Sequence, residues 1–148
     1  VFSSGRPDMP PELPDHAEAG TQNVCGICGL AAGLRFVQQQ TPQRLLAHEV
    51  RQRKLLTSLL TDVPGVRLFT GEPQSGTLSL CAAQMDCETL AARLAVKGVC
   101  VRAGLHCAPL AHESAGTLET GTVRFSLSAF NTEQEIFRTA DLLKEILA

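Results

Sequence analysis

Residues 99–128 read VCVRAGLHCAPLAHESAGTLETGTVRFSLS. At its start Val99, Val101 and Ala103 alternate with Cys100 and Arg102, and at its end Val123, Phe125 and Leu127 alternate with Arg124 and Ser126. An apolar residue at every second position is the pattern of a strand with one face buried. Between the two predicted strands, Gly104 to Gly121 shows no regular period. Irregular stretches of this length inside a compact domain usually carry function or lack order.

Working outward, Thr77–Ala82 alternates in the same way, with Leu78, Leu80 and Ala82 on one face and Thr77, Ser79 and Cys81 on the other. Val66–Thr70 reads as a further short strand. Asp86 can cap a helix whose apolar stripe is Cys87, Leu90, Ala91 and Leu94, and Gly98 stops it. Thr132 and Glu135 form a capping box before a last helix that buries Ile136, Ala140, Leu143 and Leu147. Thr41 and Pro42 open an earlier helix, in which Leu45, Leu46, Val50, Leu56, Leu59 and Leu60 are interspersed with Arg44, Arg51, Arg53 and Lys54. It should end before Pro64-Gly65.

Val24–Val37 is almost wholly apolar, with Gly26, Gly29 and Gly33 on one face at helical pitch. Each glycine costs a helix about 1 kcal/mol relative to alanine, so three together suggest close approach by another backbone. A helix apolar all round wants burial on several sides, which hints at protein beyond this chain. Residues 1–16 carry Pro7, Pro10, Pro11 and Pro14 and cannot sustain a helix or interior strand. The predicted architecture is α+β, an α/β-type small domain. It has a mixed sheet of three to four strands with helices mainly on one face, preceded by an arm and two helices. The expected divisions are a Pro-rich arm and loop at 1–23, two helices at 24–63 and the sheet domain at 64–148.

The chain has 148 residues, 44% apolar and 19% charged, which suits one domain with an attached arm. A net charge of -2 without runs of like charge points away from nucleic acid and anionic membrane surfaces. No apolar run is long enough to span a bilayer. The six cysteines lack a preceding signal-like segment, and several sit in apolar runs. That usage suits a reducing cytoplasm better than a disulfide framework. Cys25 and Cys28 have zinc-like spacing, but a structural zinc site normally needs two such pairs, and these fall within the apolar helix, so no metal is expected.

Chemistry concentrates in the irregular stretch. Cys107 follows His106, with His112 and Glu113 nearby. A cysteine beside a histidine in a loop reads either as a nucleophile, the thiolate being favoured by a nearby cation, or as an unreactive thiol in a mobile loop. The alternation puts Arg124 on the face opposite Val123 and Phe125. There it could grip a carboxylate through two parallel hydrogen bonds or stand as an ordinary solvated arginine. Spacing alone does not choose.

The string Arg102-Ala103-Gly104-Leu105-His106-Cys107-Ala108-Pro109 resembles the cysteine-bearing loop of the cysteine desulfurases. Gly121-Thr122-Val123-Arg124-Phe125-Ser126, running on to Phe130-Asn131-Thr132-Glu133, resembles their substrate-arginine strand and final helix. Glu18-Ala19-Gly20-Thr21-Gln22-Asn23 and the glycine-spaced helix are similar to the stretch that re-enters the large domain in that family. These motifs cover the chain from about Pro14 onward. They mark a resemblance to the C-terminal part of a pyridoxal-phosphate-dependent, fold type I, class V aminotransferase.

The resemblance implies roles by position. Cys107 would take the sulfur of a cysteine substrate as a persulfide, releasing alanine, and Arg124 would bind the substrate carboxylate. His106 would at most support Cys107. It also implies pyridoxal phosphate in the parent family and a homodimer. The family's cofactor lysine follows a histidine in the large domain, and Lys54, Lys97 and Lys144 do not match it. Its aspartate for the pyridine nitrogen and its phosphate turn are not matched either. No cofactor is therefore expected on this chain alone. Residues 24–63 are expected to link to a large domain supplied by a longer parent or a complementing chain. The loop does not separate cysteine from selenocysteine or another amino acid as substrate, and the sulfur acceptor is open. A non-catalytic interaction domain and a stand-alone persulfide carrier are the competing readings.

Overall fold

The computed structural model describes residues 11–14, 16–18 and 20–148. Most of the predicted proline-rich arm lies outside these. The contacts divide the chain into two compact units, Val1–Gln40 and Thr41–Ala148.

In the first unit, α1 spans Val24–Gln40 and is capped by Asn23, whose Oδ1 accepts the Gly26 N–H at 2.9 Å. None of its residues is buried. A Cβ placed on Gly29 or Gly33 would meet nothing within 4 Å, so the described residues do not make the close approach expected at that face.

The second unit opens with α2 (Pro42–Leu60), capped by Thr41. Then come β1 (Val66–Phe69), β2 (Thr77–Ala82), α3 (Cys87–Val96), β3 (Arg102–Gly104), α4 (Pro109–Ala115), β4 (Thr122–Ser126) and α5 (Glu133–Leu147). With α1 this makes an α+β chain of five helices and one four-stranded sheet among the described residues. The sheet order is β1-β2-β4-β3, and each neighbouring pair is antiparallel. It is therefore antiparallel throughout rather than mixed. The connection through α3 leaves β2 and β3 pointing the same way, but β4 inserts between them and runs against both. No parallel pair forms.

The core lies on one sheet face, where α2, α3 and α5 cover the strands. Leu56 and Leu60 of α2, Leu78 and Leu80 of β2, Leu90 and Leu94 of α3, and Val123 and Phe125 of β4 are buried together. From α5 the stripe Ile136, Ala140, Leu143 and Leu147 is buried as its spacing predicts. Burying one such large aliphatic side chain contributes about 1.5–3 kcal/mol. The capping box is complete: Thr132 accepts from the Glu135 N–H, and the Glu135 carboxylate accepts from the Thr132 N–H at 2.8 Å.

Three details differ from the sequence reading. Regular β3 pairing begins at Arg102, although Val99 and Val101 still pack against the core. The stretch after Cys107 contains α4, opened by Pro109 and closed by Gly116 in the left-handed conformation. Arg53, expected on the polar side of α2, is only 3% exposed. Its guanidinium donates to Gln74 at 3.0 Å and Glu72 at 3.2 Å, tying α2 to the β1–β2 connection.

Candidate active site

The sheet face turned away from the helical core carries the candidate residues. On β4 the buried Val123 and Phe125 put Thr122, Arg124 and Ser126 on this outer face. In register, Arg124 stands opposite Ser79 on β2 and Arg102 on β3. Arg124 is partly buried, and its Nε is buried without a hydrogen-bond partner. The ion pairs formed among the described residues involve Arg51, Arg53 and Lys97. Neither Arg102 nor Arg124 takes part in one. Like charges directly opposite on a sheet repel. Two arginines in register, neither in an ion pair among the described residues, are groups that could receive an anion such as a carboxylate.

Beyond β3 the chain turns sharply. His106 and Cys107 both have positive φ, 52° and 59°, and the Ala108 N–H closes back on the Leu105 carbonyl at 2.9 Å. Cys107 is exposed at this turn. The His106 Nε2 lies 3.0 Å from Thr122 Oγ1, which joins the cysteine turn to β4 two residues from Arg124. The His106 ring also stands 5.7 Å from the ring of His112, centroid to centroid. His112 is buried on α4, with its Nδ1 2.8 Å from the Thr117 hydroxyl.

The surroundings of His106 disfavour its charged form. Its pKa is held below the ordinary histidine value, first by burial and then by the positive charge of Arg124 and by His112. Hydrogen bonding to the Thr122 backbone opposes this, and Arg102 adds to the lowering. The ring is engaged with Thr122, and among the described residues no hydrogen bond joins it to Cys107. The other thiols differ in setting. Burial raises the pKa of Cys81, against smaller lowering by Thr120 and Arg67. Burial followed by the neighbouring Glu88 raises that of Cys87.

The structure thus brings Cys107, His106 and Arg124 into one region. His112 becomes a hydrogen-bonded interior side chain, and Glu113 points to solvent on α4. Thr122, Thr117 and Arg102 are additions that the sequence reading did not single out. Thr122 shares its strand face with Arg124, so the alternation held the only local signal for it.

The model for the aminotransferase class-V family matches residues 10–138. The chain belongs to the class V aminotransferase family. Within it, the chain is cysteine desulfurase-like. It is 34% identical over 139 residues to a probable cysteine desulfurase of Methanothermobacter thermautotrophicus, covering 91% of this chain and 34% of that protein. Among solved structures, the apo cysteine desulfurase of Thermococcus onnurineus NA1 superposes with a TM-score of 0.79 at 28% identity, over 90% of this chain and 34% of that one. Another solved structure, a C-DES mutant with glycine covalently linked to its pyridoxal phosphate cofactor, reaches a TM-score of 0.69 at 19% identity. It covers 88% of this chain and 31% of its own, a likeness of fold alone. The chain spans about a third of the length of these relatives. Among the described residues no helix is long and apolar enough to cross a membrane.

Proposed function

We propose that this chain supplies the substrate-carboxylate and sulfur-accepting groups of a pyridoxal-phosphate-dependent cysteine desulfurase, the rest of the active site coming from a large domain in a longer parent or a complementing chain. One observation carries this reading. An exposed thiol, Cys107, sits on a turn tied by His106 to the strand that presents Arg124, which forms no ion pair among the described residues.

The residues described here do not fit a cradle for the cofactor itself. Lys54 is exposed on α2, Lys144 lies on α5, and Lys97, at the end of α3, pairs with Glu145 at 3.0 Å. None is tied to the Cys107 turn. Bound in the large domain, pyridoxal phosphate supplies an electron sink. This chain's own part is simpler. Arg124 orients the amino acid through its carboxylate, and the Cys107 thiolate takes the sulfur. In balance, cysteine and the Cys107 thiol give alanine and a Cys107 persulfide. The carbon–sulfur bond breaks, a sulfur–sulfur bond forms, and the proton of the thiol is matched by the new carbon–hydrogen bond of alanine. Cysteine is the proposed substrate, with selenocysteine the analogue to assay beside it. The compartment is proposed to be the cytoplasm, and the assembled enzyme a homodimer.

The test is a chimera with this chain in place of the matching part of the Thermococcus relative. Alanine and sulfide are then measured with cysteine as substrate. Cys107→Ala should abolish sulfide release, and Arg124→Lys should raise KM for cysteine at least tenfold by losing the bidentate grip. Full activity in the Cys107→Ala chimera would overturn the assignment. For the chain alone, borohydride reduction with pyridoxal phosphate should label no single lysine stoichiometrically. Selective labelling of Lys54, Lys97 or Lys144 would reveal a cofactor site in this chain and refute the division of labour.

A further inference from the structure

Cys107 occupies an unfavourable backbone position, and the structure shows what holds it there. Leu105, His106, Cys107 and Ala108 form a turn closed by the Ala108 N–H to Leu105 carbonyl bond. Both central residues have positive φ. That is the φ signature of a type I′ turn, whose central positions normally go to glycine, asparagine or aspartate. Here they are histidine and cysteine. Left-handed backbone at successive non-glycine residues persists only where the surroundings over-determine it.

Two restraints converge on the His106 ring. Its Nε2 meets the Thr122 hydroxyl at 3.0 Å, and Thr122 is 3% exposed on β4, an interior strand of the sheet. The ring also rests beside His112, itself 7% exposed and fixed by Thr117 at 2.8 Å. The remaining nitrogen, Nδ1, is buried without a partner, so the ring is enclosed rather than rinsed by solvent. Among the described residues Cys107 has no comparable anchor, and it is exposed.

We propose that His106 is a positioning residue: its hydrogen bond to Thr122 and its seat against His112 hold the 105–108 turn in its left-handed form, and so fix where the Cys107 thiol is presented. Released from Thr122, the turn relaxes toward negative φ and the thiol is no longer presented from that turn. The importance of that placement rests on the sulfur-transfer reading; the restraint itself does not. His106 acts here through the backbone and needs no proton transfer to Cys107.

Hydrogen exchange of the Ala108 amide reports closure of the turn in the full chain without substrate or cofactor. His106→Ala should speed that exchange roughly fivefold to tenfold, the loss expected for one modest hydrogen bond. Thr122→Val, close in shape and lacking the hydroxyl, should do the same without the risk of an emptied site. The double variant should be no faster than either single variant, because both remove one interaction. His106→Gln, whose amide nitrogen can reach the Thr122 hydroxyl, should restore part of the protection, a recovery that loss of packing alone would not give. Unchanged Ala108 exchange in Thr122→Val, or additive effects in the double variant, would overturn the proposal. Neither result bears on sulfide release, so failure here is distinct from failure of the desulfurase assignment.

Discussion

Replacing Arg124 with methionine should make the isolated chain more stable while removing its grip on a carboxylate. In the structure Arg124 faces Arg102 across the β3–β4 ladder, and its buried Nε lacks a partner. Opposed like charges on a sheet cost up to about 1 kcal/mol, and a buried unsatisfied donor costs about 1–3 kcal/mol. Methionine keeps much of the apolar stem and removes both penalties. Part of the guanidinium is in solvent, which reduces the sum, so a net gain of about 1–2 kcal/mol is expected. Urea unfolding of the wild type and Arg124→Met at pH 7.5 would measure it as a rise in midpoint with unchanged slope. Arg102→Met should give a smaller gain, because Arg102 is exposed. The double variant should gain less than the sum, since the repulsion can be relieved only once. The difference between wild type and Arg124→Met should shrink with added salt, which screens the repulsive part. A loss of 1 kcal/mol or more in Arg124→Met would refute the reasoning, because the guanidinium would then have a stabilising partner within the chain.

Other outcomes can be checked alongside. Leu143→Ala, at a fully buried position on α5, should cost about 2–5 kcal/mol in the same titration, and a cost below 1 kcal/mol would mean that α5 does not close the core. His106 sets a pH dependence: with its folded pKa below the ordinary value, the unfolded chain binds the proton first as pH falls below about 6.5. Its contribution is therefore intact above that pH and is lost as pH drops toward the folded pKa. The charges acting on the ring are those of Arg124, His112 and Arg102, all opposing its protonation, so His106→Gln should flatten the fall in urea midpoint between about pH 7 and 5.5; an identical fall in both proteins would refute this. Under limiting iodoacetamide at neutral pH, peptide mapping should find exposed Cys107 modified well before Cys87, whose thiol is buried and raised in pKa. Equal rates would show that the site around Cys87 opens readily.

How much was legible in advance follows the range of the interactions. The α5 capping box, the Asp86 cap on α3 and the alternation of β2 and β4 are made by residues a few positions apart, and each appears where the sequence put it. The same alternation placed Arg124 on the outer face, and the loop string marked Cys107. Other features escaped because their partners are remote in sequence. Arg53 reads as one more surface charge until Gln74 and Glu72 reach it from the β1–β2 connection. The seven residues of α4 are too few for a clear helical period, although Pro109 and Gly116 stood at its two ends.

By itself, then, the sequence determined the strands and the helices of the sheet unit other than α4, with their buried faces, and it marked Cys107 and Arg124 as candidates, because periodicity and capping are local properties of the chain. The strand order, with β4 between β2 and β3, was decided only by the tertiary structure. That order sets Arg124 opposite Arg102 and brings Thr122 to His106 across the intervening loop. The physical reason is that an antiparallel ladder fixes register between strands distant in sequence. Whether a histidine stands free beside a cysteine or is fastened to a neighbouring strand depends on that register.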